Sequence, residues 1–185
     1  MKWHFLLGYA VLTLLIFRLI WGVVGGHWSR FSSFHFAPDK LSRYLRGHAD
    51  HSLLVGHNPL GSLSVLAMLF FLLFQVGTGL FSDDEIAASG PFVALVSNEL
   101  VSLASSYHKA IGQFILITLV VVHILAILVY WFHKRQNLVR PMWSGDKELS
   151  HPITASRDDV HTRWRALIII IVCAGLVVGL LKFAP

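Results

Sequence analysis

The chain is poor in cysteine, poor in charge and without a second, soluble domain. Cys173 is its one cysteine and lies inside an apolar run, which excludes disulfide scaffolds and cysteine-based metal centres. No C-x-x-C-H motif occurs, so covalent attachment of a c-type haem is ruled out as well. Charged residues make up 14% of the 185 positions and hydrophobic ones 55%, whereas soluble domains are about a quarter charged. Between Arg46 and Lys109 there is neither lysine nor arginine. The chain therefore belongs in a bilayer.

Apolar sequence is what it has in quantity, with a mean hydropathy of +0.65. Four stretches, about 4–25, 60–81, 108–132 and 164–183, are long enough to cross a membrane. The expected fold is all-α, a transmembrane bundle of four spanning helices, with residues 1–185 forming one membrane domain. The net charge of +5 is unevenly spread. Arg30, Lys40, Arg43 and Arg46 follow the first span; Lys134, Arg135, Arg140, Lys147, Arg157 and Arg163 follow the third. The loop after the second span carries Asp83, Asp84, Glu85 and Glu99 instead. Positive loops stay cytoplasmic, so both termini are expected to face outward. Lipid headgroups account for the basic residues, and no nucleic-acid partner is implied. Lys2 with residues 5–17 resembles a signal peptide, but Arg18 ends the run and no small-residue cleavage site follows. The first segment is read as a retained helix.

Three histidines stand in or at the edge of apolar stretches: His4, His108 and His123. An ionisable group at bilayer depth is costly and usually faces the bundle interior for a functional reason. Imidazole is also a common ligand of haem iron. His108 and His123 are fifteen residues apart on one expected helix, about 22 Å along the axis and about 60° around it. They face one side at two depths, as two stacked metal groups sharing a helix would need. His4 and His108 open spans of the same direction, so both lie near the outer surface and can approach one ion from opposite sides. Each is followed four residues later by glycine, Gly8 and Gly112, on the face where a side chain would obstruct a flat macrocycle.

Plainer readings exist for each. His4 can be an interfacial histidine, His108 a helix-capping one, and His123 a residue bonded to a neighbouring helix. Arg18, near the inner end of span one, either snorkels to headgroups or pairs with a haem propionate; Lys109 is the weaker outer counterpart. His48, Asp50, His51 and His57 form a loop cluster that could bind zinc or copper, although such loops are more often only solvated. His57 stands apart within Gly56-His57-Asn58-Pro59-Leu60-Gly61, where Asn58 and Pro59 are expected to start a helix as cap and first residue.

Taken together, these pieces resemble the bacterial cytochrome b561 and nickel–iron hydrogenase b-type cytochrome family, which includes the membrane subunit of formate dehydrogenase. The resemblance rests on His4-x-x-x-Gly8-Tyr9, Phe17-Arg18-Leu19-x-Trp21-Gly22, the Gly56–Gly61 segment and Thr78-Gly79-Leu80-Phe81. It continues through His108-Lys109, His123, and Asn137-Leu138-Val139-Arg140-Pro141-Met142 with Gly145 and Lys147. It implies a helix bundle carrying two b-type haems. One haem would be held by the residues matching His4 and His108, the pair that topology also joins. The other would use His123 with a histidine from a preceding helix that has no counterpart here. Either His123 has no partner, or His57 or His161 supplies the ligand from the inner surface, or the chain begins further upstream, which is the favoured expectation. The spacing of fifteen also exceeds by one the fourteen that the resemblance implies.

The expected function is electron transfer as a subunit of a respiratory oxidoreductase in the bacterial inner membrane, not stand-alone catalysis. Expected partners are a quinone in the bilayer and a c-type cytochrome, dehydrogenase or hydrogenase subunit; an oligomer is compatible. Two other classes are carried beside it: a histidine-dependent metal transporter or sensor, and a non-catalytic membrane anchor subunit.

Overall fold

Helices are the natural answer to an apolar environment, because each backbone N–H and C=O finds its partner within the segment. The computed structural model describes residues 1–48, 56–145 and 155–184. In chain order these form α1 (Lys2–Val24), α2 (Pro38–Leu45), α3 (Pro59–Leu80), α4 (Asn98–Ser106), a π-helical turn (Tyr107–Gly112), α5 (Gln113–Phe132), α6 (Val139–Ser144) and α7 (Val160–Lys182). Among the described residues there is no strand, only an isolated bridge between Asp83 and Ser89. Four helical segments are long and apolar enough to cross a membrane: Lys2–Val24, Pro59–Leu80, Asn98–Phe132 and Val160–Lys182. The all-α, four-span expectation is met.

The third span departs from its expected start. It begins at Asn98, ten residues before His108, and runs unbroken for 35 residues. Ser97 caps it by accepting a hydrogen bond from Leu100 N at 3.4 Å, and Glu99 stands in the first turn, where negative charge suits the helix dipole. His108 therefore lies inside a helix and caps nothing. The mixed polarity of residues 98–106 hid this extension in the sequence.

The start of α3 follows the sequence closely. Asn58 Oδ1 accepts from Gly61 N at 2.7 Å, with Pro59 at the first helical position. Its other side-chain atom, Nδ2, donates to the Tyr130 hydroxyl at 2.9 Å, tying the start of α3 to the last turns of α5. The Tyr44 hydroxyl of α2 joins the same bond. Gly56 has a φ of +66°, and a Cβ there would come within 2.9 Å of the Trp28 ring. Backbone handedness and crowding both require glycine at that turn.

In the bundle, α1 packs against α7 on one side and α3 on another, while α3 also packs against α5. Buried apolar residues include Leu12 and Leu15 of α1 and Cys173 and Val177 of α7. Most leucine, isoleucine, valine and phenylalanine side chains of the spans are exposed, as suits helices whose outer faces meet lipid. After α1 the chain doubles back through short turns at His27–Ser29 and Phe31–Ser33. Gly22 lets the Phe31 ring lie against α1, since a Cβ would run into it.

Candidate functional site

His4 and His108 meet at the end of the bundle that the loop charges predict to face outward, called the outer end below. Their ring centroids are 5.8 Å apart and the ring planes are perpendicular. Two imidazoles sharing one metal ion through nitrogen bonds of about 2 Å would place their centroids roughly 6 Å apart. The topology argument that joined these residues across 104 positions is thus matched in space.

The surroundings of His108 are closely built. Its Nδ1 lies 2.9 Å from the backbone oxygen of Gln75 on α3. A carbonyl only accepts, so Nδ1 carries the proton and Nε2 keeps its lone pair for a ligand. Gln75 Nε2 in turn donates to the His108 backbone oxygen at 2.8 Å. The ring lies over Gly79, where a Cβ would come within 2.7 Å of Cε1 and 3.1 Å of Nδ1. His108 itself sits in the π turn, a feature frequent at functional sites. His4 is exposed and has the Phe5 ring as its neighbour at 6.1 Å.

The two glycines after these histidines differ. A Cβ at Gly8 would meet nothing within 4 Å, leaving the face open as expected. At Gly112 the space is taken by the Gln75 carboxamide and the Tyr107 ring. Gly112 thus makes room for Gln75, not for a macrocycle, which corrects the expectation from the sequence. The widened turn explains the difference, because it rotates Gly112 toward α3.

The other named residues lie elsewhere. Lys109 Nζ donates to the Asp83 oxygen at 2.9 Å, in an outer turn ordered by Asp84. Asp84 Oδ1 accepts from the backbone nitrogens of Ile86, Ala87 and Ala88 at 3.0, 2.9 and 2.8 Å. Those bonds pull the Asp84 carboxyl down to about 2. A shallow cleft of about 450 Å³ between α1 and this turn is lined by Lys2, Tyr9, Ser89 and Pro91 among others. Neither imidazole lines it.

Arg18 is engaged with the inner turns: Nη1 donates to the Ser29 oxygen at 3.1 Å and the guanidinium stands 4.9 Å from the centre of the Phe31 ring. It is not a side chain simply reaching for headgroups. His57 stands in the same inner cluster, with its ring 5.0 Å from Phe34. Burial, and then the Arg18 charge, lower its pKa. His35, which the sequence did not single out, belongs here too. Its backbone N donates to Ser62 Oγ at 3.4 Å, and burial lowers its pKa with help from Lys40, against a backbone hydrogen bond to His57 that raises it. The Nδ1 atoms of His35 and His57 are buried without a hydrogen-bond partner among the described residues.

His123 lies half-buried in α5, away from both clusters. His161 opens α7, which packs chiefly on α1. Neither His57 nor His161 is brought to His123. Of the loop cluster, Asp50 and His51 lie outside the described residues; within the described ones no three histidine, cysteine, aspartate or glutamate side chains gather to hold a metal ion. The sequence reading also passed over Gln75 and gave Gly79 no role. Gln75 had a legible signal, being the one carboxamide in the apolar run of α3.

Two convergent imidazoles, one with its tautomer fixed, beside an open face at Gly8 are a donor set that would suit the iron of a porphyrin. Comparison with known proteins identifies the family. A family model described as prokaryotic cytochrome b561 matches residues 1–145. A probable Ni/Fe-hydrogenase B-type cytochrome subunit of Bradyrhizobium diazoefficiens is 26% identical over 165 residues, covering 78% of this chain and 65% of the relative. The chain thus spans somewhat under two thirds of that relative's length. No solved structure gives a significant match. With four apolar spans and a family match over most of its length, the chain is a multi-pass membrane protein that belongs to the prokaryotic cytochrome b561 family.

Proposed function

We propose that the chain is a membrane-embedded electron-transfer cytochrome in which His4 and His108 ligate a b-type haem from opposite sides. The observation that carries this reading is the 5.8 Å convergence of the two imidazoles. A haem held there by two histidines would supply one-electron chemistry, suited to relaying electrons and not to binding oxygen. His108 presents Nε2 because Gln75 holds Nδ1–H; His4 approaches from α1, and Gly8 keeps the adjacent face clear.

His123 belongs, in this reading, to a second haem at a deeper level, with its other ligand supplied by a helix packed on the exposed face of α5. Arg18 and Lys109 are the cations proposed for propionates at the inner and outer levels. Each now bonds a backbone carbonyl, a weaker partner than a carboxylate. A quinone in the bilayer is the proposed electron partner at one end. The name of the relative supports a hydrogenase subunit at the other, with a c-type cytochrome or another dehydrogenase as the alternative. The inner membrane is the compartment where such partners meet.

The test is haem-to-chain stoichiometry with a reduced-minus-oxidised spectrum on purified protein. At least one b-type haem is expected, with one haem per chain fewer in both His4→Ala and His108→Ala. A colourless wild-type protein, after expression with ample haem, would sink the reading. The same result would favour a metal carrier or an anchor subunit.

A further inference from the structure

Gln75 is the one large polar side chain in the apolar length of α3, and it touches His108 twice. Its backbone oxygen receives Nδ1–H of the ring at 2.9 Å, and its side-chain Nε2 reaches the His108 backbone oxygen at 2.8 Å. The first contact fixes the tautomer. The second holds the backbone of the π turn that carries the ring. A regular α-helix leaves little reason for a side-chain donor at a mid-helix carbonyl, since the ladder satisfies it. A π turn spreads that ladder to i→i+5 and disturbs its geometry, and here an amide from the neighbouring helix supplies a donor.

Gly112 completes the arrangement. Any Cβ at this position would run into Gln75 Oε1, so the carboxamide can take its place only because residue 112 is glycine. Gln75 Oε1 is itself buried without a hydrogen-bond partner among the described residues. A buried acceptor left unmet costs free energy, which marks the position as held for something other than its own satisfaction. The Thr78 hydroxyl also donates to the Gln75 backbone oxygen at 3.0 Å, so several groups converge on the atom that orients the imidazole.

We propose that Gln75 is the positioning residue of His108, acting with Gly112 to hold the π turn so that the imidazole keeps its Nδ1–H···O bond and offers Nε2 to the haem iron. This rests on the haem reading above. Its consequence is electronic as well as geometric. A hydrogen bond from the distal N–H makes a histidine ligand more basic and favours the oxidised metal. Loosening the turn weakens that bond, so the potential of this haem rises and part of the low-spin bis-histidine signature is lost.

The experiment compares Gln75→Met, Gly112→Ala and the double variant with wild type, by potentiometric titration and by low-spin electron paramagnetic resonance of the haem-loaded protein. Gly175→Ala, where a Cβ meets nothing within 4 Å, is the control. Each single change is expected to move the midpoint potential upward and broaden or diminish the low-spin signal. The double variant is expected to fall well short of the sum of the two singles, since both changes act on the same carboxamide and the Tyr107 ring is all that is left for the new methyl to displace. Unchanged potential and spectrum in both singles would overturn the proposal, as would full additivity in the double. Should Gln75→Met fail to fold, Gly112→Ala alone decides by the same two readouts. Absence of haem from the wild type would instead overturn the underlying reading.

Discussion

At the scale of single residues, the site depends on atoms that are absent as much as on those present. Gly79 lets the edge of the His108 ring come close to α3, and a methyl there would come within 2.7 Å of Cε1. Gly77, two residues earlier, has nothing within 4 Å of its missing Cβ. Gly79→Ala is therefore expected to weaken haem retention by about 10-fold or more, a size typical of disturbed ligand orientation. Gly77→Ala should leave it intact. Haem content after gel filtration measures both, and equal retention in the two variants would refute the ring-on-glycine packing. The inner histidines make a pH prediction. Burial holds His57 and His35 below the usual value of 6.5, so the unfolded chain binds more protons over the window beneath it. Stability then rises with pH through that window and is lost on acidification. Thermal midpoints in detergent should fall between pH 7.5 and pH 5.5, and His57→Phe should reduce the fall. An equal fall in wild type and variant would count against His57 as a contributor.

At the scale of elements, the cap of α3 and the π turn do different work. Asn58 closes the helix start through Gly61 N and also holds Tyr130. Its replacement by alanine removes a cap worth about 1 kcal/mol, together with the tie to α5. Asn58→Ala should unfold at lower temperature or denaturant by at least that amount, read from reversible denaturant titration in detergent. A change near zero would mean that the cap is replaced by water. The π turn accounts for an oddity of the sequence. A wider turn takes up about one extra residue, and the spacing of His108 and His123 carries one residue more than the family resemblance implies. Periodicity alone could not show this, since an α-helical count places both residues on one face in either case.

At the scale of the whole molecule, alternating spans and one-sided loop charge fix an orientation. Arg30, Lys40, Arg43 and Arg46 lie on the loop after α1, and the acidic turn of Asp83, Asp84 and Glu85 on the loop after α3, so the second should face outward. Cys173 is fully buried and should not react in the folded protein, which makes substituted cysteines readable without background. Leu95→Cys should be labelled by a membrane-impermeant maleimide in intact spheroplasts, and Leu45→Cys only after permeabilisation. The reverse pattern would invert the proposed sides of the site. The same placement sets His123 apart: it lies in α5, two helical turns from Tyr130, with no histidine of the described chain beside it.

Much of this protein is legible in its sequence, and the reason is physical. A bilayer penalises unpaired backbone and buried charge so heavily that apolar length and loop charge settle the number of spans. The same penalty makes a histidine in a span stand out, so His4, His108 and His123 could be named from the sequence alone, and so could the Asn58–Pro59 helix start. What the sequence could not reveal depends on distance between helices. That Gln75 clasps His108, that Gly112 serves the glutamine and that His35 joins His57 all follow from how α1, α3, α5 and the turns between them pack. Those contacts are individually weak, and no residue pattern along one helix records which neighbour it will meet.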